Sequence, residues 1–569
     1  MPAEQLLPQV LRQPNINFLW AALLVEELRR QGVGCFFLAP GSRSAPLIFA
    51  VGKDPRIHSQ VHFDERALAF MACGYAAASG KPAVLICTSG TAAANFLPGL
   101  IEASKKKLPL IVLTADRPPE LQKTGAAQSI EQTGLFSTYT RWSAELPCPT
   151  MEINPEYVLT TAAQAVSRAK GELPGPVHIN VLFREPLSPV KQSSGLARYT
   201  TSIKSWALSN KPFTSYFSRT AQLSEDALKH AATRIHQIKN GLVLAGKLGS
   251  QADRQAVLTF AEKTGWPILA DITSGLRLGP QHKNVISYFD QALTRTLPSL
   301  GIDGVVHFGG RMTSKNCYEL LKKSHLNDYL MILAHPLRSD PLHKVTARFN
   351  ISPAIFVDQI FYLLAQRTPS KSLDALQKAN SAASRQIDQN LARSALCEPG
   401  IARAISKIIP AGQGLFLSNS MPVRDMDSYA ASDGNAVTVG ANRGANGIDG
   451  IIASGIGFAA GLKQTTTLVI GDLAFLYDLN SLALLKTAEQ KLIIVLINND
   501  GGKIFSRLAG AERSAFFAKY FTASHGLNFR SAANLFALRY YVPGSTKAFV
   551  KDYARALKAR GSSLIEVII

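Results

Sequence analysis

The sequence predicts an α/β protein of three consecutive domains, each with a mainly parallel sheet flanked by helices. Two observations lead to this fold class. Short apolar runs alternate with helical patterns along most of the chain, which is typical of strand–helix–strand units. The length of 569 residues also exceeds what one hydrophobic core supports, and it suggests about three to four domains. We place the predicted domains at residues 1–192, 193–375 and 376–569.

Composition restricts the class of protein. The hydrophobic fraction of 46% is ordinary for a globular chain. No apolar run reaches the roughly 18 residues of a membrane span, and the N-terminus lacks the basic and apolar parts of a signal peptide. The six cysteines show no paired spacing. This favours free thiols in a reducing cytoplasm over disulfides or a zinc site.

The net charge of +21 raises the alternative of a nucleic-acid-binding protein. The lysines and arginines are spread along the chain, however, and form only short clusters such as residues 105–107. No nucleic-acid-binding motif accompanies them, so we expect no nucleic-acid partner. The charge then serves to attract small dianions or reflects the composition of the proteome.

The first domain begins with an amphipathic helical pattern at residues 17–31, which Gly32 or Gly34 ends. Buried strands are expected at residues 35–38, 83–87, 110–113 and 176–182. The first of these strands opens onto a loop of small residues that contains Ser42 and Arg43. Such a loop is a candidate anion site, and the alternative is a rigid turn with an exposed arginine.

The middle domain starts with a polar stretch at residues 193–218, which has no strong periodicity and is interpreted as a linker. Strands are expected at residues 241–245, 267–270, 304–308 and 329–333, with helical stretches between them. This second α/β unit carries neither a Gly-Asp…Asn-Asn block, which the third domain has at residues 471–499, nor a glutamate motif like that of the first domain at Glu65. A structural or regulatory role is therefore the default interpretation.

A polar helical stretch at residues 370–394, interpreted as a linker, leads into the third domain. Strands are expected at residues 414–417 and 564–569. The glycines of residues 455–461 could pass for a dinucleotide-binding fingerprint, but they lie inside a helical pattern instead of directly after a strand. We interpret them as a site of tight helix packing. His525 has no motif around it and is interpreted as structural.

The most informative stretch is residues 465–505, which reads as strand, helix and strand. The first strand stops before Asp472, a helical pattern with leucines at three- and four-residue spacing follows, and the second strand ends in Asn499 and Gly501. Parallel strands meet at one carboxyl edge, so Asp472 and Asn499 should lie close together. A carboxylate, an amide oxygen and the carbonyl of Gly501 are oxygen ligands that Mg²⁺ prefers. The alternative is an ordinary turn with Asp472 as a helix cap.

This block resembles the magnesium–diphosphate motif of thiamine diphosphate (ThDP) enzymes, which is usually Gly-Asp-Gly, a spacer and Asn-Asn. Leu473 replaces the usual third glycine. With this departure and the ending Asn-Asn-Asp-Gly-Gly at residues 498–502, the block resembles one branch of these enzymes. That branch is the family of 2-succinyl-5-enolpyruvyl-6-hydroxy-3-cyclohexene-1-carboxylate (SEPHCHC) synthases of menaquinone biosynthesis. The resemblance covers nearly the whole chain. It implies the ThDP-binding fold, with pyrimidine, middle and diphosphate domains in that order.

The resemblance implies a catalytic role for Glu65, which stands at the start of a helix predicted at residues 67–79. In the superfamily, a glutamate at this place protonates the aminopyrimidine ring of ThDP. Burial among apolar groups would raise its pKa and let it share a proton with the ring nitrogen. The alternative is that the carboxylate only compensates the helix dipole.

The resemblance also implies the cofactor contacts. Asp472, Asn499 and Gly501 would hold Mg²⁺, with Mn²⁺ as a substitute. Ile448 would be the apolar wedge that bends ThDP into a V shape. The other expected cofactor contacts are Ser420, Ile504 and Phe505.

Arginine-rich loops imply substrates with carboxylates, because the guanidinium fork binds a carboxylate bidentately and stays charged. The substrate residues that the resemblance implies are Ser42, Arg43, Arg117, Gln128, Lys315, Ser420, Arg424 and Arg443. The family tends to have two adjacent basic residues in the middle domain. Lys315 matches the first, Asn316 departs from the second, and Arg311 is a candidate substitute.

The implied activity is that of a transferase: decarboxylation of 2-oxoglutarate with ThDP as electron sink, then conjugate addition to isochorismate. A homodimer or homotetramer with active sites between subunits is also implied. Two alternatives stay open. Another ThDP enzyme, such as a 2-oxo-acid decarboxylase or an acetolactate-type synthase, would not need isochorismate. A non-catalytic protein with this fold would bind nucleic acid in a salt-sensitive manner and would not depend on ThDP.

Overall fold

The computed structural model describes residues 8–192, 195–217, 221–296, 300–507, 516 and 518–569. Within these residues the chain forms three separate six-stranded sheets, and every paired strand is parallel to its neighbour. Helices connect the strands and flank the sheets. The predicted fold class is therefore confirmed.

The first sheet lies in the N-terminal part of the chain. Its strands are β1 (Cys35–Leu38), β2 (Ser59–Val61), β3 (Ala83–Cys87), β4 (Leu110–Asp116), β5 (Ser143–Leu146) and β6 (Val177–Leu182), in the order β2-β1-β3-β4-β6-β5. The helices are α1 (Ile16–Arg30), α2 (Ala45–Gly52), α3 (Glu65–Ser79), α4 (Thr91–Asn95), α5 (Leu97–Lys106), α6 (Glu156–Lys170), α7 (Leu196–Tyr199) and α8 (Lys204–Leu208). The four predicted strands are present. β4 extends past its apolar run because the Thr114 hydroxyl donates to Asn180 Oδ1 on β6, which pairs a buried polar group.

The second sheet follows in the chain. Its strands are β7 (Gly241–Ala245), β8 (Ile268–Ala270), β9 (Val285–Ile286), β10 (Gly304–Phe308), β11 (Asp328–Ile332) and β12 (Ala347–Phe349), in the order β12-β11-β10-β7-β8-β9. The helices are α9 (Glu225–Gln237), α10 (Gln251–Thr264), α11 (Phe289–Thr296), α12 (Lys315–Lys323), α13 (Pro353–Ile360) and α14 (Lys371–Arg393). The four predicted strands are present, and the long α14 matches the helical stretch predicted at residues 370–394.

The third sheet repeats the strand order of the first. Its strands are β13 (Gly414–Leu417), β14 (Thr438–Ala441), β15 (Thr466–Gly471), β16 (Leu492–Asn498), β17 (Arg539–Tyr541) and β18 (Ser563–Ile568), in the order β14-β13-β15-β16-β18-β17. The helices are α15 (Glu398–Ile408), α16 (Met421–Tyr429), α17 (Ile451–Leu462), α18 (Asp472–Tyr477), α19 (Arg530–Leu535) and α20 (Thr546–Lys558). As predicted, β15 and β16 are parallel neighbours.

Short helices of other types complete the secondary structure. The 3₁₀ helices are Gln9–Leu11, Pro119–Leu121, Ser137–Tyr139, Thr201–Ile203, Ile272–Ser274, Phe361–Leu363, Leu479–Lys486 and Lys503–Arg507, and one π-helical turn is Ala518–Thr522. The prediction of a single helix between β15 and β16 is wrong in one respect. This segment consists of α18 and a separate 3₁₀ helix, because the buried Asp478 between them accepts hydrogen bonds from the Ser481 hydroxyl at 2.8 Å and the Ala453 N–H at 3.0 Å.

The chain divides by its contacts into two compact units. The first contains the described residues of 1–218 with 442–463 and 476–491, and the second contains those of 219–441, 464–475 and 492–569. The first sheet lies in the first unit, and the other two sheets lie in the second. The domain boundaries at 192/193 and 375/376 stay a prediction.

The segment at residues 193–218 is more than the linker that its polarity suggested. Its described part contains α7, a 3₁₀ turn and α8, and Ile203 and Trp206 are buried in the core of the first sheet. The indole N–H of Trp206 donates to Glu27 Oε2 at 2.9 Å, and the N–H of Phe213 bonds the same carboxylate. A few apolar anchors among polar residues gave no periodic signal, so the sequence did not reveal this packing.

Within the first unit, α3 and α17 pack closely through glycines. A Cβ atom on Gly457 would lie 1.9 Å from the carbonyl oxygen of Met71, and one on Gly74 would lie 2.0 Å from that of Ser454. Gly450 meets Phe70 near the N-terminal ends of both helices, and Gly461 meets Tyr75 farther along. The two helices therefore run in the same direction, and the predicted interpretation of residues 455–461 as helix packing is confirmed.

No helix in the described ranges is long and apolar enough to cross a bilayer. All six cysteines lie in described ranges and are free, as predicted.

Candidate active site

The first and third sheets both reverse their strand order next to the strand that comes first in the chain. The reversal lies between β1 and β3 in the first sheet and between β13 and β15 in the third. Open α/β sheets bind ligands at the carboxyl ends of strands beside such a reversal. Arg43 follows β1, Ser420 follows β13 and Asp472 follows β15. These predicted site residues thus lie where this topology favours a ligand.

Asp472 forms the centre of the predicted metal loop in the second unit. Its carboxylate is buried, and Oδ2 accepts hydrogen bonds from the backbone N–H groups of Asn499 at 3.1 Å and Gly501 at 2.8 Å. Oδ1 accepts from the N–H of Leu473 at 2.7 Å. The structure therefore brings the three predicted metal ligands together. A carboxylate has about four acceptor positions, so one remains for a cation.

The loop at Gly501 needs a glycine. Its φ is +114°, and a Cβ atom would lie 2.2 Å from the carbonyl oxygen of Thr522. Among the described residues, the Gly501 carbonyl accepts one hydrogen bond, from the N–H of Lys503 at 2.9 Å, and a carbonyl oxygen has two lone pairs. This oxygen can therefore also bind a cation.

The donor set fits Mg²⁺ together with a diphosphate. One carboxylate, one amide oxygen and one carbonyl leave three positions of an octahedral shell for phosphate oxygens and water. In the described part of the chain, no group of three or more His, Cys, Asp or Glu side chains could hold a metal ion. A metal here would therefore depend on neutral oxygens and on the ligand that comes with it.

His525 lies beside the metal loop, which its interpretation as a structural residue did not anticipate. Its Nε2 is 3.3 Å from Asp472 Oδ2, and this buried nitrogen has no hydrogen-bond partner. Its Nδ1 accepts from the N–H of Leu527 at 3.0 Å, which leaves the proton of a neutral ring on Nε2. The Asp500 carboxylate fixes the loop by accepting from the N–H groups of His525 and Gly526. This nitrogen is therefore placed to donate to the Asp472 carboxylate or to an anion bound beside it.

Glu65 is the first residue of α3, directly after Asp64, whose side chain caps the helix. Burial raises the pKa of Glu65, and the nearby negative charge of Asp64 raises it further. This direction is the one expected for a proton-sharing glutamate. Asp64 also accepts a hydrogen bond of 2.6 Å from Asn480 Nδ2, which holds the residue that caps α3. The catalytic role of Glu65 stays a prediction.

Two arginines face a common region at the edge of the first sheet. Desolvation lowers the pKa of Arg117, and the positive charge of nearby Arg43 lowers it further. Arg43 donates to the carbonyl oxygen of Phe183 at 2.9 Å and lies 3.5 Å from Glu185, while its buried Nε has no partner. Two neighbouring guanidinium groups with a spare donor are suited to an anionic ligand.

The surroundings of Arg117 connect it to other predicted residues. Its guanidinium contacts the Ser89 hydroxyl and lies 3.5 Å from Gln128 Oε1. Gln128 has a positive φ and an exposed side chain. Ser42 is exposed in the loop before Arg43. The structure thus brings Arg43, Arg117 and Gln128 near one another, and Ser42 adjoins Arg43 in the chain.

The loop that carries Arg443 and Ile448 lies in the first unit. Glu102, on α5, holds this loop by accepting from the backbone N–H groups of Gly444 at 2.9 Å and Ala445 at 2.6 Å. Ile448 is 39% exposed, which leaves an apolar side chain free to contact a ligand. The predicted roles of Arg443 and Ile448 stay predictions.

The remaining predicted residues lie in the second unit. Ser420 precedes α16 with φ +72° and makes no capping bond through its side chain, and Arg424 follows one turn later. Ile504 and Phe505 lie in the 3₁₀ helix after the metal loop, where Phe505 is 43% exposed and its ring centre is 6.0 Å from that of Phe521. An exposed aromatic ring beside Gly502 suits the wall of a ligand site.

The basic residues of the middle domain lie in the loop before α12. Lys315 begins that helix and is exposed, as is Arg311. The loop between them is held by Asp271, which accepts from the Thr313 N–H at 2.5 Å. Asn316 is partly buried and lines a cavity with Asp290. Arg311 is therefore more exposed than Asn316. This exposure favours Arg311 as the substitute for the missing basic residue, and that role stays a prediction.

Sequence reasoning missed three carboxylate and imidazole groups at these loops: Glu102, Glu398 and His525. Glu398 accepts from Asn499 Nδ2 at 2.8 Å. Each acts on a loop far away in the chain, and none belongs to a local motif. The one available indication was indirect. A loop of small residues needs hydrogen bonds from side chains elsewhere in the chain, but the sequence does not say which side chains provide them.

Three protein-family models match consecutive parts of the chain. Residues 20–135 match the model described as "Thiamine pyrophosphate enzyme, N-terminal TPP binding domain". Residues 197–417 match "Middle domain of thiamine pyrophosphate", and residues 437–567 match "Thiamine pyrophosphate enzyme, C-terminal TPP binding domain". Three domain models of one enzyme class therefore follow each other along the chain.

Curated relatives match nearly the whole chain. Proteins that carry the name 2-succinyl-5-enolpyruvyl-6-hydroxy-3-cyclohexene-1-carboxylate (SEPHCHC) synthase are among them. The protein of Rubrobacter xylanophilus is 42% identical over 98% of this chain and 96% of its own length. That of Prosthecochloris aestuarii is 40% identical over 97% and 94%, and that of Salinibacter ruber is 39% identical over 98% and 95%.

Proposed function

The chain belongs to the SEPHCHC synthase family of ThDP-dependent enzymes, and on this premise we propose that it joins 2-oxoglutarate to isochorismate with loss of carbon dioxide. The reaction is a transferase step of menaquinone biosynthesis. The product is SEPHCHC, with carbon dioxide as by-product. ThDP, when bound, supplies the electron sink for the decarboxylation.

The observation that carries the choice of substrates is the pair of Arg43 and Arg117. The two guanidinium groups are close enough for the charge of one to lower the pKa of the other. Among the described residues, the exposed Glu185 lies 3.5 Å from Arg43, and Asp116 and Glu185 are the negative groups that act on Arg117. A dicarboxylate or tricarboxylate ligand would stabilise this pair, whereas a substrate with one carboxylate and an apolar tail would neutralise only part of it.

Different residues of this chain have different roles in the proposed reaction. Glu65 would exchange a proton with the aminopyrimidine ring of bound ThDP, which its raised pKa supports. Asp472, Asn499 and Gly501 would hold Mg²⁺, or Mn²⁺ in its place. Ser420, Ile448, Ile504 and Phe505 would also contact the cofactor. The substrate carboxylates and hydroxyls are bound by Ser42, Arg43, Arg117, Gln128, Lys315, Ser420, Arg424 and Arg443, which hold them in reacting geometry.

The assembly and location belong to the same proposal. A homodimer or homotetramer, with active sites between subunits, is the arrangement that the family resemblance implies. Six free cysteines support a reducing compartment, so we assign the protein to the cytoplasm. Light scattering of an active sample tests the assembly, and a monomeric mass would contradict it.

Product analysis tests the proposed reaction. The purified protein is incubated with ThDP, Mg²⁺, 2-oxoglutarate and isochorismate, and the molecular masses of the products are determined by mass spectrometry. The expected product has the summed mass of the two substrates less carbon dioxide. A four-carbon aldehyde as the main product would indicate a 2-oxo-acid decarboxylase instead.

A further inference from the structure

The side chain of Asn499 is oriented by a carboxylate from another helix. Asn499 Nδ2 donates to Glu398 Oε1 at 2.8 Å, across 101 residues of sequence. The backbone of Asn499 is fixed separately, through its N–H bond to Asp472 Oδ2 at 3.1 Å. The residue is therefore held at two points, one on the main chain and one on the side chain.

Glu398 lies on a helix that is packed into the core of the third sheet. It is the first residue of α15, whose Ile401 and Ile405 are buried in the core of the third sheet. The helix packs against both α16 and α20. A carboxylate on such a helix has a defined position, because its backbone cannot move without disturbing that core.

The contact matters because an amide has two unlike ends. The oxygen accepts and can bind a cation, whereas the NH₂ group donates and cannot. A carboxylate accepts hydrogen bonds and does not donate them. The pairing with Glu398 therefore selects the rotamer in which Nδ2 faces Glu398, and it leaves Oδ1 as the only polar atom of the side chain that is free to meet a metal ion.

From this geometry we propose that Glu398 is a positioning residue for the metal site. It fixes the amide of Asn499 so that Oδ1, and not Nδ2, is presented together with Asp472 to the cation. The inference rests on the proposed function, because it takes Asn499 as a metal ligand. Partners that orient a metal ligand typically change metal affinity by about 10–100-fold when they are lost.

Two substitutions of similar size separate orientation from charge. Glu398→Gln removes the negative charge but keeps an oxygen that accepts from Asn499, whereas Glu398→Met removes both. The dissociation constant of Mn²⁺ is measured by electron paramagnetic resonance on the full-length protein with saturating ThDP. We expect Glu398→Met to raise it by at least about 10-fold and Glu398→Gln to raise it clearly less. Equal losses in the two variants would overturn the proposal, because they would assign the effect to charge alone.

A second substitution tests the mechanism independently of activity. In Asn499→Asp, both ends of the side chain are oxygen, so no orienting partner is needed. Adding Glu398→Met to this variant should therefore cause no further loss of Mn²⁺ affinity. A loss as large as in the wild-type background would show that Glu398 acts otherwise, and would overturn the proposal.

The thermal unfolding midpoints of the metal-free proteins provide the folding control. We expect them to be the same for the wild type and both Glu398 variants. If only Glu398→Met unfolds early, its weaker binding reflects damage to α15, and the positioning role is overturned. If the wild type itself binds no Mn²⁺ with ThDP, the metal assignment of the proposed function fails, and the role of Glu398 fails with it.

Discussion

Glu102 Oε2 accepts a hydrogen bond of 2.6 Å from the backbone N–H of Ala445, which lies 343 residues later in the chain. Its other oxygen accepts from the N–H of Gly444 at 2.9 Å. The carboxylate is buried, and the partly buried Lys106 lies near it. A side chain of the first predicted domain thus fixes the loop that carries Arg443 and Ile448.

The first prediction concerns this loop. Glu102→Ala leaves two N–H groups without an acceptor, each at a cost of about 1–3 kcal/mol. We expect faster hydrogen exchange at Gly444 and Ala445, and a KM for at least one substrate that rises about 10-fold, while kcat falls less. Glu102→Gln keeps one acceptor and should lie between the alanine variant and the wild type. Unchanged exchange at both amides would contradict the role given to Glu102.

The second prediction concerns Glu65. Glu65→Gln should lower kcat by about 10²–10⁴-fold, because it removes a proton-transfer group. The folded protein should not be weakened at neutral pH. The pKa of Glu65 is raised in the fold, so ionisation destabilises the native state as pH rises through that pKa, and a neutral amide avoids this cost.

Steady-state kinetics and thermal unfolding at pH 7 check this prediction together. Glu172→Gln, at an exposed turn of the same domain, is the matched control and should change neither quantity. If Glu65→Gln retains most of the activity, the assignment of Glu65 as the proton-transfer residue is wrong.

The third prediction concerns the metal loop. Asp472→Ala should weaken ThDP and Mg²⁺ binding together, and by more than the roughly 10–100-fold expected when a partner outside the metal shell is lost. Isothermal titration with ThDP, at saturating and at trace Mg²⁺, measures the coupling. Asp433→Ala, exposed in the same unit, removes an equal charge and should have no effect. Loss of Mg²⁺ affinity without loss of ThDP affinity would separate the two sites and contradict the account.

The fourth prediction is a pH dependence of stability. Burial raises the pKa of Asp478 to about 6, although it accepts from Ala453 and Ser481 and lies 3.6 Å from Arg66. The protonated form is therefore favoured in the fold. Its stabilising contribution is complete below about pH 4, where the unfolded chain is also protonated, and it is lost as pH rises through about 6.

The variant Asp478→Asn isolates this contribution, because it is neutral at every pH. The free energy of unfolding of the wild type minus that of the variant should fall between pH 4 and pH 7, by on the order of 3 kcal/mol. Urea unfolding at several pH values measures the difference. A difference that stays constant, or that rises with pH, would mean that Asp478 is ionised in the fold throughout this range.

Much of the architecture could be predicted because it is encoded locally. The buried strands of the three sheets are continuous apolar runs, which is how parallel strands covered on both faces read. Asp472 and Asn499 could be placed together because parallel neighbours end at one edge. The glycines at residues 455–461 could be assigned to helix packing from their helical context alone.

The rest depended on contacts that no local pattern encodes. Trp206 anchors the segment before the second sheet to the core of the first sheet. A single tryptophan among polar residues, however, produces no periodic apolar pattern in the sequence. Asp478 splits a helix that the leucine spacing predicted as continuous. Glu398 acts on Asn499 across 101 residues. A carboxylate without a motif looks like any surface glutamate until the fold shows what it faces.

The most direct test of the central claim is a substrate-omission assay. Purified protein, ThDP, Mg²⁺ and 2-oxoglutarate are mixed with and without isochorismate, and isochorismate loss and carbon dioxide release are followed together. The account predicts that isochorismate disappears only when 2-oxoglutarate and ThDP are both present, with one carbon dioxide released for each isochorismate consumed. Carbon dioxide released equally fast without isochorismate would contradict it, because the protein would then be a simple decarboxylase and the arginines would need another role.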